Sequence, residues 1–546
     1  MIQPILPPYD LAAWRAAPFP QRVRMVCQAW AIQGYGTPLP VYLVYALKVG
    51  FYVGAWAFFC GFSAEGGWLS DDAFRKAVLW SVAFEGLGLG CGSGPLTGRY
   101  VPPFGGALWF LRPGTTKMPL LPGILVFGGI RRTWLDVALY AAHMAFLFRA
   151  LAAPEVTPLL LLPTVVLLPV LGLTDKTLFL ASRAEHYLSA IVCLLFVDDW
   201  IAGSKLVWVA VWMWAATSKL NPHFPAVVGV MISNSPWARF GPLRRWMYRN
   251  YPDDLRPSAL ARAMAHAGTA TELCFPLLLL FGDGGALTLV GLAVMLGFHI
   301  FITSNVPMGV PIEWNVLMVY GAFFLFGHHA EVSALSLSAP ALIAWIALAH
   351  LALPLYGNLR PDRVSFLMAM RYYAGNWAYS VWLFKEGATE KLERGLVTSG
   401  WTGPAQLRMF YDEDVTQAVL SKVLAFRHMH LHGRALHRLL PRAVDDIESY
   451  EYVDGELVAG YVLGWNFGEG HLHDLQLLRA VQAQCGLEPG ELRCVFVESQ
   501  PMGGRTLKWT LADAATGVFD SGDVSVAELE ALQPWPSDED GPTRAA

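Results

Sequence analysis

Long apolar stretches alternate with short polar segments from about residue 39 to residue 356 of the chain. A helix needs about 20 predominantly apolar residues to cross the hydrocarbon core of a bilayer. Ten segments approach that length, so the pattern predicts a polytopic all-α bundle of about ten transmembrane helices. The predicted spans are 39–60, 76–92, 134–152, 155–173, 185–201, 204–220, 263–281, 286–303, 313–328 and 335–356.

Charged residues are scarce between residues 39 and 356 and return in the C-terminal part of the chain. Over the whole sequence 15% of residues are charged and 55% are hydrophobic, with a mean hydropathy of +0.40. Soluble domains carry about 25% charged residues. A bilayer accounts for the difference, because apolar helix faces in lipid need no burial against protein. The net charge is −4 and the chain has no basic tail, so nucleic acid is a poor candidate partner.

The loops between the predicted spans differ in charge. Acidic loops such as 64–72 and 198–200 alternate with basic loops such as 239–262 and 360–385. With ten spans, the basic loops and the N-terminal arginines all fall on one side of the membrane. Because basic loops stay in the cytoplasm, we expect both termini to be cytoplasmic and the protein to lie in the plasma (inner) membrane.

The regions that flank the bundle are amphipathic or soluble in composition. Residues 1–38 are predicted to be an N-terminal interfacial segment, and 360–384, within a 357–400 linker, to be an aromatic-rich interfacial helix. Residues 401–535 are predicted to form a small cytoplasmic α+β domain, with a hairpin turn at Asp454-Gly455, a helix ending at Gly486, and strands in LRCVFVES and RTLKWTLAD. Residues 536–546 are predicted to be a disordered tail.

Ionisable side chains inside a membrane are costly, so they are usually paired or functional. Lys48 and Glu85 each lie about nine residues into adjacent antiparallel spans, which predicts a structural ion pair near the midplane.

A second group of polar residues collects toward the cytoplasmic side of the predicted bundle. Partial desolvation disfavours the ammonium form of a lysine, so a lysine at this level could serve as a base. The alternative is that Lys219 and the arginines extend to the lipid headgroups. The group consists of Arg183, Glu185, His186, Lys219, His223, Glu272, His299 and Glu313.

Three segments occur in an order that resembles a known membrane family. They are WMWAATSKLNPHFPAVVG, AHAGTATELCFPLLLLF and GFHIFITSNVPMGVPIEWNVLMV. Together they resemble the core of the horizontally transferred transmembrane (HTTM) superfamily, which includes the vitamin K-dependent gamma-glutamyl carboxylases. The resemblance covers roughly residues 180–330. As a whole, the chain also resembles a family of large bacterial transmembrane proteins of unknown function.

The HTTM resemblance implies a membrane enzyme acting on a quinone, isoprenoid or lipid. Lys219 falls on the lysine that acts as the base in the carboxylases, His266 and Glu272 fall on the second motif, and His299 falls on the third. On this hypothesis Lys219, Glu272 and His299 are catalytic, and a quinone is a candidate cofactor. The substrate would be bound by Arg183, His186, His223, His266 and Glu313.

The sequence leaves a second hypothesis open. The same polar layer could bind a lipid headgroup without catalysis, in a membrane-complex assembly protein whose soluble domain binds a protein partner.

The glycine-rich segment EGLGLGCGSG (85–94) lacks the GKS/T ending of a phosphate loop, so it favours close backbone packing.

Cysteines and histidines are side chains of this chain that could bind a transition metal. The seven cysteines are scattered and form no CxxC pair, which is typical of small core residues. His428, His430 and His432 alternate, as do His471 and His473. On a strand they would share one face, as metal ligands often do, but no neighbouring residue completes a known signature. No metal site is therefore predicted.

Overall fold

The computed structural model describes residues 5–61, 67–124, 128–305, 311–372 and 375–536. The predicted tail lies almost entirely outside these residues. The described chain is mostly helical, and its N-terminal part opens with two helices, α1 (Leu11–Ala16) and α2 (Phe19–Gln33).

The helical region follows, with segments of very different length. Its helices are α3 (Leu39–Cys60), α4 (Asp71–Gly86), α5 (Ala107–Phe110), α6 (Trp134–Ala152), α7 (Pro158–Thr174), α8 (Lys176–Ala181), α9 (Ala184–Cys193), α10 (Trp200–Thr217), α11 (Phe224–Asn234), α12 (Gly241–Trp246), α13 (Ala259–Leu280), α14 (Ala286–Thr303), α15 (Ile312–Ala322), α16 (Pro340–Ile346) and α17 (Leu353–Leu359). A short ribbon, β1 (Tyr248–Asn250) and β2 (Asp254–Pro257), separates α12 from α13. The wide helical turn Phe323–His328 extends α15, and Ala347–Ala352 joins α16 to α17.

Five helices of the described chain are long and apolar enough to cross a membrane: Leu39–Cys60, Trp134–Ala152, Ala259–Phe281, Ala286–Thr303 and Pro340–Leu359. Every other predicted span also overlaps a helix, but those helices are shorter or less apolar. In α4, for example, nearly every side chain is buried inside the bundle. The protein is therefore membrane-embedded, and the predicted count of ten spans is not confirmed.

Local sequence signals explain where several helices begin. The Ser70 hydroxyl accepts a hydrogen bond from Ala73 N at the start of α4, and Ser258 does the same for Ala261 N at the start of α13. Thr133 and Asp136 form a reciprocal capping box at the start of α6. These side chains satisfy amide groups that have no partner within the helix.

The connections between helices gather at two ends of the bundle. At one end, which we call the distal end, His329 Nε2 lies 3.1 Å from Asp71 Oδ1, and Ser338 N donates to Asp199 Oδ1 at 3.0 Å. At the other end, Gly106 N donates to Gly464 O at 3.1 Å and Met502 N donates to Asn358 O at 2.7 Å. Because Gly464 and Met502 belong to the C-terminal domain, we call this the sheet end.

The C-terminal domain contains a five-stranded antiparallel sheet in the order β4-β3-β5-β6-β7. Its elements are β3 (Tyr379–Lys385), α18 (Ala388–Gly395), α19 (Gly403–Arg408), α20 (Glu413–Met429), α21 (Leu436–Ala443), β4 (Tyr450–Asp454), α22 (Gly455–Leu463), α23 (Leu475–Cys485), β5 (Leu492–Val497), β6 (Thr506–Asp513), β7 (Gly517–Ser525) and α24 (Val526–Ala531). The predicted helix ending at Gly486 and the two predicted strands are confirmed as α23, β5 and β6.

Two predictions about this region are wrong. The predicted interfacial helix over 360–384 instead contains β3, and Tyr379–Phe384 are all buried because the strand pairs with neighbours on both sides. Asp454-Gly455 is not a hairpin turn. The Asp454 carboxylate accepts a hydrogen bond from Glu456 N at 2.8 Å and caps α22. A strand that ends in Asp-Gly can therefore continue into a helix as well as into a hairpin.

The N-terminal helices do not lie apart at the surface. The buried face of α2, which includes Phe19, Val23, Cys27 and Trp30, joins a hydrophobic core shared with α11, α20 and the sheet. The N-terminal segment thus connects the helical bundle to the sheet. The division of the chain into the predicted domains stays a prediction, but β3 already belongs to the same sheet as residues beyond 401.

Candidate functional site

An apolar cavity of about 220 Å³ lies at the sheet end, between the membrane helices and the C-terminal domain. Helices α11, α13 and α14 form one side, and α2, α20 and the segment around Phe467 form the other. Only a few polar side chains interrupt the apolar lining, an arrangement typical of small-molecule binding sites. The lining is Trp30, Tyr35, Thr97, Lys219, Phe224, Val227, Val228, Met231, Ile232, Met264, Gly268, Phe298, Phe301, Ile302, Asn305, Phe366, Trp377, Val423, Phe426, Arg427, Glu456, Phe467 and Gly468.

Lys219 lies in this lining, just after the end of α10. Its ammonium group forms an ion pair with the carboxylate of Glu272 in α13, and each side chain is only 4% exposed. The rings of Phe224 and Phe298 lie 5.7 Å and 5.6 Å from Lys219 Nζ, measured to their centroids. The structure therefore brings together two of the three predicted catalytic residues, and one of them, Lys219, lies in the wall of the cavity.

A second charged group, contributed by the C-terminal domain, faces the same cavity. Arg427 of α20 donates to Asp454 from Nε at 2.5 Å and from Nη2 at 3.1 Å, and its Nη2 also lies 2.9 Å from Glu456 Oε1. Burial opposes ionisation of Arg427, but the two carboxylates outweigh it and raise the guanidinium pKa. Burial also raises the pKa of Glu456, against the lowering effect of Arg427.

A polar groove of about 690 Å³ lies on the other side of this charged group. It runs between α1, α2, α20 and the sheet edge at β4, and its lining includes Arg22, Lys385, Glu390 and Glu451. Asp454 lines the groove, its partner Arg427 lines the apolar cavity, and Val423 lines both. One layer of side chains therefore separates the two spaces.

His299, the third predicted catalytic residue, is buried behind the cavity wall. Its Nε2 accepts a hydrogen bond from Trp212 Nε1 at 3.0 Å, and its Nδ1 lies 2.7 Å from Asn315 Oδ1. An indole N–H can only donate, so His299 Nε2 carries no proton and Nδ1 donates to Asn315. Both ring nitrogens are thus occupied by protein partners, an arrangement that fits a positioning role better than proton transfer.

The predicted ion pair between Lys48 and Glu85 is wrong for the described chain. Lys48 Nζ donates to Gly90 O at 3.1 Å, while the Glu85 carboxylate lies 3.6 Å from Arg183 Nε. Glu313 accepts a hydrogen bond from Cys91 N at 3.0 Å in the same region. The glycine-rich loop after α4 approaches Lys48, and its Gly90 carbonyl accepts the hydrogen bond that the lysine donates.

The predicted substrate-binding residues are not gathered around Lys219. Arg183 and Glu313 belong to the cluster around Glu85, and neither lines the cavity. His186 accepts a hydrogen bond from Trp314 Nε1 at 3.1 Å, and the His223 ring lies 5.6 Å from the ring of His432. His266 is exposed on α13, away from Glu272. The single polar layer predicted from the sequence is thus at least two separate clusters.

The histidines of the C-terminal domain occupy different local environments. His428 lies in the last turn of α20, so the strand that would align it with His430 and His432 is not formed. His432 Nε2 lies 2.8 Å from Asn376 Oδ1, and His471 lies between Glu469 and Glu498. Among the residues that the structure describes, no group of three or more histidine, cysteine, aspartate or glutamate side chains is arranged to hold a metal ion.

Sequence reasoning missed Trp30, Asn305, Arg427, Asp454 and Glu456 as residues of the cavity or its wall. They come from four distant parts of the chain, so no local spacing links them. The segment Asp454-Gly455-Glu456 was a partial signal for the charged group around Arg427, because it places a helix-capping aspartate two residues before a second carboxylate.

The fold and the cavity define a class: an integral membrane protein whose helical bundle carries a sheet domain at one end and an apolar cavity at their junction. Over residues 1–546 the chain matches, and belongs to, the family described as "Transmembrane protein of unknown function (DUF3556)". This match gives no support to membership of the HTTM superfamily. No curated protein and no solved structure matches the chain.

Proposed function

We propose that the protein binds an amphiphilic molecule, a lipid, isoprenoid or quinone, taken from the bilayer. The observation that carries this proposal is the apolar cavity between membrane helices and the sheet domain, with Lys219 and Arg427 in its wall. An apolar chain would occupy the space beside Phe298 and Val228, where it leaves water. The polar end would lie against the charged groups, whose hydrogen-bonding positions fix its orientation.

The route from the bilayer into the cavity runs past α13 and α14, two of the five candidate spans. Phe301 lines the cavity and is 42% exposed, and Met264 and Met231 are half-buried beside it. A side chain added at Gly268 would meet no other atom within 4 Å of its Cβ position. This part of the lining therefore opens toward the face that α13 and α14 present to lipid.

A substitution at Gly268 tests the proposal. Gly268→Trp places a large side chain at the opening without removing any charged or hydrogen-bonding group. We expect the protein purified from its own membrane to lose its co-purifying amphiphile, measured by native mass spectrometry and lipid extraction. Gly297→Trp is the matched control, because Gly297 also lies on a candidate span with open space and does not line the cavity. An unchanged lipid content in Gly268→Trp would contradict the proposal.

Catalysis on the bound amphiphile is a second candidate function, favoured by the position of Lys219 at the cavity wall. The Lys219 ammonium group would first pass a proton to its partner Glu272, and the neutral lysine could then remove a proton from a hydroxyl of the ligand and become an ammonium ion again. This is the chemistry that the HTTM resemblance implies for Lys219. Lys219→Arg separates the two functions, since arginine keeps the positive charge and does not release a proton near neutral pH. Retained binding with loss of any conversion of the extracted lipid would support catalysis, and unchanged conversion would exclude Lys219 as the base.

We further propose that the sheet end faces the cytoplasm and that the distal end faces the opposite side of the inner membrane. Arginines collect at the sheet end, as in Arg131, Arg244 and Arg360, whereas Asp71 and Asp199 lie at the distal end. Cysteines introduced at Thr516, in the β6–β7 turn, and at Ser336, in a distal loop, test this assignment. Only Ser336→Cys should react with an impermeant maleimide in intact cells, and labelling of Thr516→Cys alone would reverse the orientation.

A further inference from the structure

The segment between α11 and α13 carries a cluster of exposed aromatic side chains. Trp237, Phe240 and Trp246 are 77%, 58% and 57% exposed. The rings of Phe240 and Trp246 pack edge to face, with their centroids 5.8 Å apart. Neighbouring large apolar side chains that remain outside the core mark an interaction surface.

The protein holds this segment in place from behind. Arg244 donates to Ile32 O, near the end of α2, at 2.5 Å and to Ser235 O at 2.9 Å. Met247, directly after Trp246, is fully buried in the hydrophobic core that α2 shares with α11. The aromatic side chains are therefore exposed on a segment whose backbone is fixed to the core.

The cluster lies where a candidate membrane span begins. Ser258 caps α13, whose span is Ala259–Phe281. The Ser258 amide donates to Met247 O at 3.0 Å, and the Ser258 hydroxyl donates to Trp246 O. Trp246 is thus bound to the residue at which α13 starts. Tryptophan is enriched at this depth, where a spanning helix passes from the head groups into the hydrocarbon.

The charge of this segment is strongly positive. Residues 236–262 contain six arginines and two aspartates, with no lysine or glutamate. Both aspartates already pair with arginines, Asp253 with Arg24 and Asp254 with Arg256. Three arginines that adjoin the aromatic residues are exposed and form no ion pair with a carboxylate in the part of the chain that the structure describes. They are Arg239, Arg245 and Arg249.

We infer that this surface binds the head groups of anionic phospholipids in the surrounding bilayer. We call it the arginine–aromatic surface, and it consists of Trp237, Arg239, Phe240, Arg245, Trp246 and Arg249. Its rings would lie among the head groups, and its guanidinium groups would bind the lipid phosphates. A phosphatidylcholine head group carries an ammonium that cancels its phosphate charge, so the surface should prefer phosphatidylglycerol. The inference goes beyond the proposed function, because it concerns a site outside the cavity.

Lipid titration of the full-length protein in detergent tests the role of the arginines. Dioleoyl phosphatidylglycerol and dioleoyl phosphatidylcholine are added separately, and native mass spectrometry gives the dissociation constant of each. We expect phosphatidylglycerol to bind more tightly. A cation near a membrane surface contributes about 1 kcal/mol, so Arg239→Gln with Arg245→Gln should weaken phosphatidylglycerol binding about fivefold for each arginine removed. Binding of phosphatidylcholine should hardly change.

A matched double variant controls for the loss of net charge. Arg438→Gln with Arg442→Gln removes the same charge from α21, which packs against β5 and β6 of the C-terminal domain. This variant should keep the wild-type preference for phosphatidylglycerol. Equal losses in the two double variants, or no loss in either, would overturn the inference.

The tryptophans test whether the surface lies in lipid at all. Trp237→Ala with Trp246→Ala removes contacts that do not depend on the head group, so it should weaken binding of both lipids by a similar factor. Phe519→Ala is the control, since Phe519 is also exposed but lies on β7 of the C-terminal domain. Unchanged binding of both lipids in the tryptophan variant would show that the surface faces another partner, and would overturn the inference.

Gly268→Trp separates failure of this inference from failure of the proposed function. It blocks the opening of the cavity and leaves the arginine–aromatic surface intact, so the variant should bind phosphatidylglycerol as the wild type does. Loss of the preference for phosphatidylglycerol in Gly268→Trp would place the anionic lipid in the cavity and would contradict the surface site.

Discussion

The indole Nε1 of Trp212 donates a hydrogen bond to Nε2 of His299 at 3.0 Å, joining α10 to α14 inside the bundle. This contact fixes the proton of His299 on Nδ1, where it is donated to Asn315. Three buried side chains therefore form a series of hydrogen bonds that connects three helices. Each side chain donates to the next, from Trp212 through His299 to Asn315.

Removing the first donor of this chain should destabilise the bundle. Trp212→Phe leaves His299 Nε2 buried without a donor, at an expected cost of about 1–3 kcal/mol in the free energy of unfolding. Thermal unfolding in detergent, followed by near-UV circular dichroism, measures the change. Trp237→Phe serves as the control, because Trp237 is 77% exposed. A Trp212→Phe protein as stable as the control would mean that His299 finds another partner.

The buried pair of Lys219 and Glu272 should respond very differently to single and double replacement. Lys219→Met leaves a buried carboxylate uncompensated, so we expect a loss of about 3–5 kcal/mol, whereas Lys219→Met with Glu272→Leu should recover most of it. The exposed pair of Arg24 and Asp253 gives a reference, since removing one of its partners should cost about 1 kcal/mol or less. Equal losses in the single and double variants would show that the two side chains do not interact energetically.

His471 should make the stability of the C-terminal domain fall in alkaline solution. Burial opposes its protonation, but the carboxylates of Glu498 and Glu469 outweigh burial and raise the pKa of His471 from 6.5 to about 10. Because the folded-state pKa is the higher one, this contribution to stability is complete below about pH 6.5 and is lost as the pH rises toward 10. Denaturant unfolding at several pH values between 6 and 10 measures the slope.

Two histidine variants show whether His471 causes this pH dependence. His471→Gln should flatten the pH dependence between 6.5 and 10, while His266→Gln, at an exposed histidine, should leave it unchanged. A slope that survives in His471→Gln would assign the effect to another group.

The glycine-rich loop after α4 should not tolerate a methyl group at Gly92. A Cβ atom there would lie 2.4 Å from Nε1 of Trp465, a side chain that is 1% exposed and has no room to move away. We expect Gly92→Ala to cost about 1–3 kcal/mol of stability through overpacking. Gly54→Ala in α3 is the matched control, since no atom lies within 4 Å of its Cβ position. Trp465→Phe should relieve part of the cost in the Gly92→Ala background, and no relief would contradict a steric cause.

Much of the fold follows from local patterns in the sequence. The apolar segments became helices because each satisfies its own backbone hydrogen bonds, a property that depends only on residues close in sequence. Strands β5 and β6 were predicted from runs rich in β-branched and aromatic residues. The strand Tyr379–Lys385 was missed because a strand buried on both faces shows no alternation, and its aromatic side chains also suit an interfacial helix.

The candidate site was less predictable, because its geometry depends on contacts that are distant in sequence. Lys219 and Glu272 could be placed at a similar depth from helix positions alone, and the structure joins them. The same argument placed Lys48 of α3 beside Glu85 of α4. Helix positions alone do not predict that the loop at Gly90 supplies the hydrogen-bond acceptor for Lys48 instead. Nothing in the local sequence marked Arg427 as a residue of the site. It lies in a helix of the C-terminal domain, and the contact of that helix with the membrane domain depends on the whole fold.

The layer formed by Arg427, Asp454 and Val423 separates the polar groove from the apolar cavity. In electrical terms, this layer carries paired charges, because Arg427 is bound to both Asp454 and Glu456. The hydrogen bonds that hold Arg427 in place therefore also keep the two spaces apart.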